Sequence, residues 1–149
     1  MPKNPYSIHP GFLRMYQDAG DMKRESAAYL KAAPGYVDAQ FAGTRALLRP
    51  IYDAILEFGF SLGDDVKVSP GKTIVPFYRN HVFAQVKATT QTRVDLGFCL
   101  KGVKPAGRLV STGGEAKGDR ITHRIGLESL EDFDKEVKDW MRRAYELDV

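Results

Sequence analysis

Between residues 72 and 100 the chain alternates. Val82, Ala84 and Val86 recur at every second position, and Val94, Leu96, Phe98 and Leu100 resume the pattern after a short break. A period of two puts these residues on one side of a sheet and Gln85, Lys87, Arg93, Asp95 and Cys99 on the other. The stretch therefore predicts three strands joined by turns at 79–81 and 89–91. An apolar sheet face needs a cover, and elsewhere the apolar residues recur at three- and four-residue steps. Leu48, Ile51, Ile55 and Phe58 do so behind Thr44, a helix-capping residue type, with a stop at Gly59. Pro50 either kinks that helix or marks where its better half begins. Leu130, Phe133, Val137, Trp140, Met141 and Ala144 form a second stripe, and Ser129 with Asp132 are spaced as a capping box in front of it.

The remaining elements are shorter. A strand is expected at 66–68, another within 108–111, and an alternating one over 120–127 carrying Ile121, His123, Ile125 and Leu127. Before residue 43 the pattern predicts helices at 11–18 and 21–33, the second capped by Asp21 and ended by Pro34-Gly35. The fold class that follows is α+β. It is an antiparallel sheet of about five strands with a β-meander core, packed against a preceding helix and a C-terminal helix. Residues 1–42 read as a helical N-terminal extension of a single domain, 43–149 as its core. The weakly amphipathic N-terminal helices are the candidate contact for a homodimer.

Composition narrows the function classes. A chain of 149 residues with 43% hydrophobic and 28% charged content has the make-up of a globular domain. No apolar run approaches the ~20 residues of a membrane-spanning helix, and the first residues lack the apolar core of a signal peptide. One cysteine excludes an internal disulfide and fits a cytoplasmic location. The net charge is only +3, but between residues 101 and 124 six basic residues face two acidic ones. Such a segment is either a solvated loop or an attractor of phosphate and acidic partners. The glycine-rich loop 102–117 within it is long for a small domain and is a candidate functional element.

No catalytic motif is recognisable. Pro70-Gly71-Lys72-Thr73 resembles the end of a P-loop, yet the first glycine of that motif would fall on Val66, and a strand pattern follows where a helix is needed. His9, His81 and His123 are too scattered for a metal motif, Cys99 has no paired ligand, and no cofactor is implied. His81 falls in a hairpin turn and reads as solvated. His123, between Ile121 and Ile125 on an apolar face, is either a hydrogen-bonded core histidine or a ligand contact and proton carrier. Arg93 and Asp95 share a strand face with Lys87 on the neighbouring strand, and Tyr78 joins them if the register allows. They form either a cross-strand ion pair or a polar surface on which Arg93 grips an anion.

Several stretches together resemble a known family. They are Lys72, Phe77-Tyr78-Arg79, Val82-Phe83-Ala84, Thr92-Arg93-Val94-Asp95-Leu96-Gly97, Thr122-His123-Arg124, and Trp140 with Ala144-Tyr145. This order is similar to a bacterial domain family of unknown function, found at the C-terminal end of chains labelled predicted transport proteins and also on its own. The resemblance spans residues 50–145 and implies no activity and no catalytic residues. The leading expectation is a non-enzymatic cytoplasmic module that binds an anionic small molecule or nucleic acid through Tyr78, Lys87, Arg93, Asp95, His123 and Arg124. One alternative is an enzyme using His123 with Arg93, Asp95 or Tyr78 in one pocket. The other is a homo-oligomeric structural protein.

Overall fold

The alternation of residues 82–100 folds into the middle of an antiparallel sheet. The computed structural model describes residues 4–13 and 22–149. Their helices are α1 (Pro10–Leu13), α2 (Met22–Gln40), α3 (Arg49–Ser61), α4 (Gly114–Lys117) and α5 (Lys135–Leu147). The strands are β1 (Lys67–Val68), β2 (Val75–Tyr78), β3 (Val82–Ala88), β4 (Val94–Phe98), β5 (Val110–Ser111) and β6 (His123–Leu127). They pair in the order β1-β2-β3-β4-β6-β5, every neighbour antiparallel. The fold is α+β as expected, with six strands rather than about five. The two edge strands, β1 and β5, are two residues each.

One face of the sheet carries Ala84, Val86, Val94, Leu96, Phe98, Ile125 and Leu127, all buried, aligned in cross-strand rows. Helices α3 and α5 cover it. In α3, Ile51, Ile55 and Gly59 are buried at four-residue steps with Tyr52 beside them; in α5, Val137, Met141 and Ala144 are buried at steps of four and three. The helices and the sheet close on one another at Gly59. A Cβ there would stand 2.5 Å from the Phe77 ring and 3.3 Å from Met141 Cε. Gly59 is thus a contact point inside α3 and not the stop that its residue type predicts. Pro50 sits in the first turn of α3, where its missing N–H costs nothing, and the residues before it form a separate 3-10 helix, Gly43–Leu48. Trp140, part of the predicted stripe, is only half buried, with the Arg143 guanidinium 5.6 Å above its ring.

Two departures from the alternation matter for the site. Phe77 pairs with Ala84 but Tyr78 pairs with Val82, so Phe83 is an extra residue, a β-bulge. Its ring is fully buried, edge-on to Phe77 at 6.4 Å and to Tyr145 at 5.5 Å, while Val82 is half buried. The second departure lies before β6. Ile121 does not share the face of His123: it lies over Gly97 on the opposite side, where a Cβ would come within 2.8 Å of Ile121 Cγ2.

Pro34 does not end α2. A proline inside a helix removes the hydrogen bond to the carbonyl four residues earlier, here Leu30. That oxygen accepts instead from the side-chain amide of Asn4 at 2.5 Å, and Ala33 and Val37 on either side of Pro34's turn are fully buried. The helix therefore continues to Gln40, whose amide donates to Gly71 O at 2.8 Å. Of the helix predicted over 11–18, residues 11–13 belong to α1; the rest, and the Asp21 cap, lie outside the described residues. The segment before α1 is tied along the β1 edge: Ser7 N–H donates to Val68 O, and the Tyr6 and Tyr52 hydroxyls share a buried hydrogen bond of 2.9 Å.

Replacing Gly59 by alanine forces the new methyl into Phe77. The expected cost is about 1–3 kcal/mol, the usual penalty for over-packing a close-packed core. Urea unfolding should show a lower midpoint at unchanged slope; an unchanged midpoint would contradict the close helix–sheet approach.

Candidate functional site

The six residues singled out from the sequence fall in three places. Lys87, Arg93, Asp95 and Arg124 come together on the sheet face away from the helices. Asp95 is the centre. Its carboxylate, 12% exposed, accepts from Thr89 Oγ1 at 2.5 Å and lies 3.0 Å from Arg93 Nε and 3.6 Å from Arg124 Nη1. Lys87 stands directly across from it on β3. The Arg93 stem lies flat on the strand beside it: a Cβ at Gly126 would be 2.8 Å from Arg93 Cδ. Arg93 is thus ion-paired with Asp95 and Arg124 stands at longer range from the same carboxylate, the arrangement of the cross-strand ion-pair alternative.

His123 is on the other face, in the core. Its Nε2 is 2.8 Å from Val103 O and its Nδ1 2.7 Å from Thr122 Oγ1, which itself accepts from Leu100 N–H. A carbonyl accepts only, so Nε2 donates, the threonine hydroxyl donates to Nδ1, and neither ring nitrogen is left over. His123 therefore does not converge with Arg93, Asp95 or Tyr78. Its role is to tie the loop after β4 onto β6.

Tyr78 belongs to a third place, a cleft of about 470 Å³ at the turn end of the β2–β3 hairpin. The bulge at Phe83 turns the hairpin end so that Tyr78 and Val82 line the cleft rather than the core. One wall is the N-terminal segment. His9 stacks on Tyr78 with ring centroids 4.5 Å apart and 12° between planes. The His9 ring is held at both nitrogens: Gly11 N–H donates to Nδ1 at 2.9 Å, and Nε2 donates to Arg79 O at 2.7 Å. Burial holds His9 below the ordinary imidazole value; Lys67 and His81 push the same way, the Arg79 carbonyl and Asp148 against.

The opposite wall is polar. Asp148, just past the end of α5, has a side chain only 2% exposed. Its Oδ2 accepts from the backbone N–H of His81 at 2.8 Å and its Oδ1 from His81 Nδ1 at 2.8 Å. Arg120 Nη2 lies 3.6 Å from the same Oδ1, and this guanidinium also donates to Val82 O at 3.3 Å. Beyond Arg120 two smaller hollows continue, one toward Gln85 and Ile121, the other toward Cys99 and Lys101. The Cys99 thiol is pushed up by burial. Asn80 completes the rim, its amide donating to Asp148 O at 3.2 Å.

The same hairpin end is braced on its other side. Arg79 pairs with Asp65 at 3.0 Å, donates to Tyr145 O at 3.0 Å and stacks over the Tyr145 ring at 4.3 Å, while the Tyr145 hydroxyl donates to Asp65 at 2.6 Å. Those hydrogen bonds, Tyr145's first and Arg79's after it, hold the Asp65 carboxyl below its ordinary value. Two stretches that carry the family resemblance, one around Arg79 and one around Tyr145, thus meet in space.

Sequence reasoning missed His81, Asp148, Arg120 and His9. Asp148 is 67 positions from His81, and no spacing rule links a turn to a helix end. Among the described residues no group of three histidine, cysteine or acidic side chains is placed to hold a metal ion, and no helix is long and apolar enough to cross a membrane.

The family described as Domain of unknown function (DUF5655) matches residues 37–148. The chain belongs to that family. The DUF5655 segment contains Tyr78, His81, Arg120 and Asp148, whereas the His9 wall lies outside it. Neither the curated proteins nor the solved structures gave a match.

The His9 geometry sets a pH dependence. Because its folded-state value is lowered, the unfolded chain takes up the proton first as pH falls below the ordinary value of 6.5. Its contribution to stability is full above that pH and is lost on going below it. A melting series from pH 7.5 to 5.5 should show the gap between wild type and His9→Gln narrowing toward acid; a constant gap would mean that His9 is not held neutral.

Proposed function

We propose that this domain binds a small anionic ligand in the cleft between His9–Tyr78 and His81–Arg120. The observation that carries the reading is the fixed placement of Arg120. Its guanidinium is held beside a buried carboxylate and a backbone carbonyl, yet its side chain remains 46% exposed on a cleft wall. Nη1 makes no hydrogen bond among the described residues and is available to a carboxylate or phosphate oxygen. The cleft volume falls in the range of small-molecule sites, and the stacked rings supply an apolar side opposite the polar one.

The distribution of ion pairs favours a small anion over a nucleic-acid backbone. Arg108 is taken by both oxygens of Asp134 at 2.8 Å and by Glu136 at 2.7 Å, and Arg93 and Arg124 by Asp95. Within the basic segment between residues 101 and 124, Arg108 and Arg124 are therefore paired within the chain and Arg120 stands beside Asp148, which leaves three of its six cations, all lysines. The ordinary requirement for binding a phosphate backbone is an array of free cations.

A thermal-shift series with succinate, citrate and inorganic phosphate tests the reading. At one hundred times its dissociation constant a ligand adds ~2.7 kcal/mol, or roughly 5–10 °C in melting temperature for a domain of this size. Arg120→Gln should abolish the shift. A shift that survives Arg120→Gln but disappears in Lys87→Gln would move the site to the open sheet face.

A further inference from the structure

We propose that His81, positioned by Asp148, is a general base that hydrolyses carboxylic esters whose second, anionic group is held by Arg120. The inference rests on the anion-binding reading above and adds a reaction to it.

The hydrogen bonds define the base. A carboxylate only accepts, so the Nδ1 of His81, 2.8 Å from Asp148 Oδ1, must carry a proton. The neutral ring then has its lone pair on Nε2. The His81 side chain is 57% exposed, lines the cleft, and has no partner at Nε2 among the described residues. His9 and His123, by contrast, use both nitrogens. Of the three histidines, only His81 keeps a basic nitrogen facing open space. Asp148 fixes the ring a second time through the backbone N–H of His81.

The lining narrows the chemistry. No serine, threonine or cysteine lines this cleft for His81 to activate, so the proton it accepts as a general base comes from water. Arg120 is the one arginine or lysine on its walls, which suits one substrate carboxylate but not the several cations that phosphoryl transfer draws on. In the step, Nε2 removes a proton from water as the water oxygen bonds to the ester carbonyl carbon. The ester C–O bond then breaks, and the departing alkoxide takes the proton back from the imidazolium. An acid and an alcohol leave, with no change of oxidation state. Burial keeps the Tyr78 phenol protonated, so its hydroxyl can donate a hydrogen bond to the substrate.

The test uses the full chain with the mono-4-nitrophenyl ester of succinic acid, against neutral 4-nitrophenyl acetate. Wild type should prefer the anionic ester, and His81→Ala should lower kcat/KM on it by about 10²–10⁴-fold, the usual contribution of a general base. Asp148→Asn places an amide against Nδ1, so the ring proton moves to Nε2 and the lone pair turns away from the cleft. Imidazole ¹⁵N shifts should report that exchange of tautomer together with a comparable loss of rate. Equal rates for wild type and His81→Ala, or a wild-type rate in Asp148→Asn with the tautomer exchanged, would overturn the catalytic role. Succinate binding without turnover removes the catalysis and leaves the binding site standing. No thermal shift with succinate, citrate or phosphate removes both.

Discussion

One unpaired residue in β3 governs how this fold is used. An antiparallel ladder without a bulge would send Val82 inward with Ala84 and leave Phe83 on the outer face. The bulge reverses both. Phe83 enters the core beneath α5, where it meets Phe77 and Tyr145, and the hairpin end is turned so that Tyr78 and Val82 border open space. The core gains an aromatic ring and the surface gains a hollow from the same irregularity. The Tyr145 hydroxyl then reaches Asp65, and Arg79 closes the group from the hairpin side. The end of the sheet that carries the cleft is thereby held at several points.

Rigidity at that end explains the polar wall. A carboxylate as buried as that of Asp148 persists only when its oxygens are satisfied, because an unpaired buried charge costs several kcal/mol. Three donors supply the need: the His81 backbone, the His81 ring and, at longer range, Arg120. The open sheet face makes the opposite use of the same groups. There Asp95 draws two arginines onto itself, and glycines at 97 and 126 let Ile121 and Arg93 lie flat. One carboxylate sits between two arginines on an open sheet face; the other holds a cation and an imidazole at the edge of a cavity.

Much of the architecture is legible in the sequence, because strand alternation and helical spacing are local signals read over a few residues. The strands at 75–98, the α3 stripe and the α5 stripe follow from them. The errors share one physical cause, a local rule overruled by a distant partner. Pro34 breaks a hydrogen bond within its helix, but Asn4 repairs the loss from 26 positions away. Gly59 reads as a stop, but Phe77 and Met141 need its bare backbone. The site was harder still. Arg93 and Asp95 attract attention because they are adjacent on a strand, and adjacency is what makes them neutralise each other. His81 reads as a solvated turn residue and is indeed exposed, but the carboxylate that fixes its ring comes from the far end of the chain, beyond the reach of any local pattern.

The cleft has walls of two origins. Its polar side, with Tyr78 and Val82, belongs to the DUF5655 segment, while the His9 side is laid down by residues 4–12, which precede that segment. The two meet through a ring stack and main-chain hydrogen bonds rather than through a shared secondary-structure element. Within a lineage, then, the wall that carries His81, Arg120 and Val82 can be inherited intact while the strip of chain facing it is exchanged, so that the two sides of the cleft are free to diverge on separate schedules.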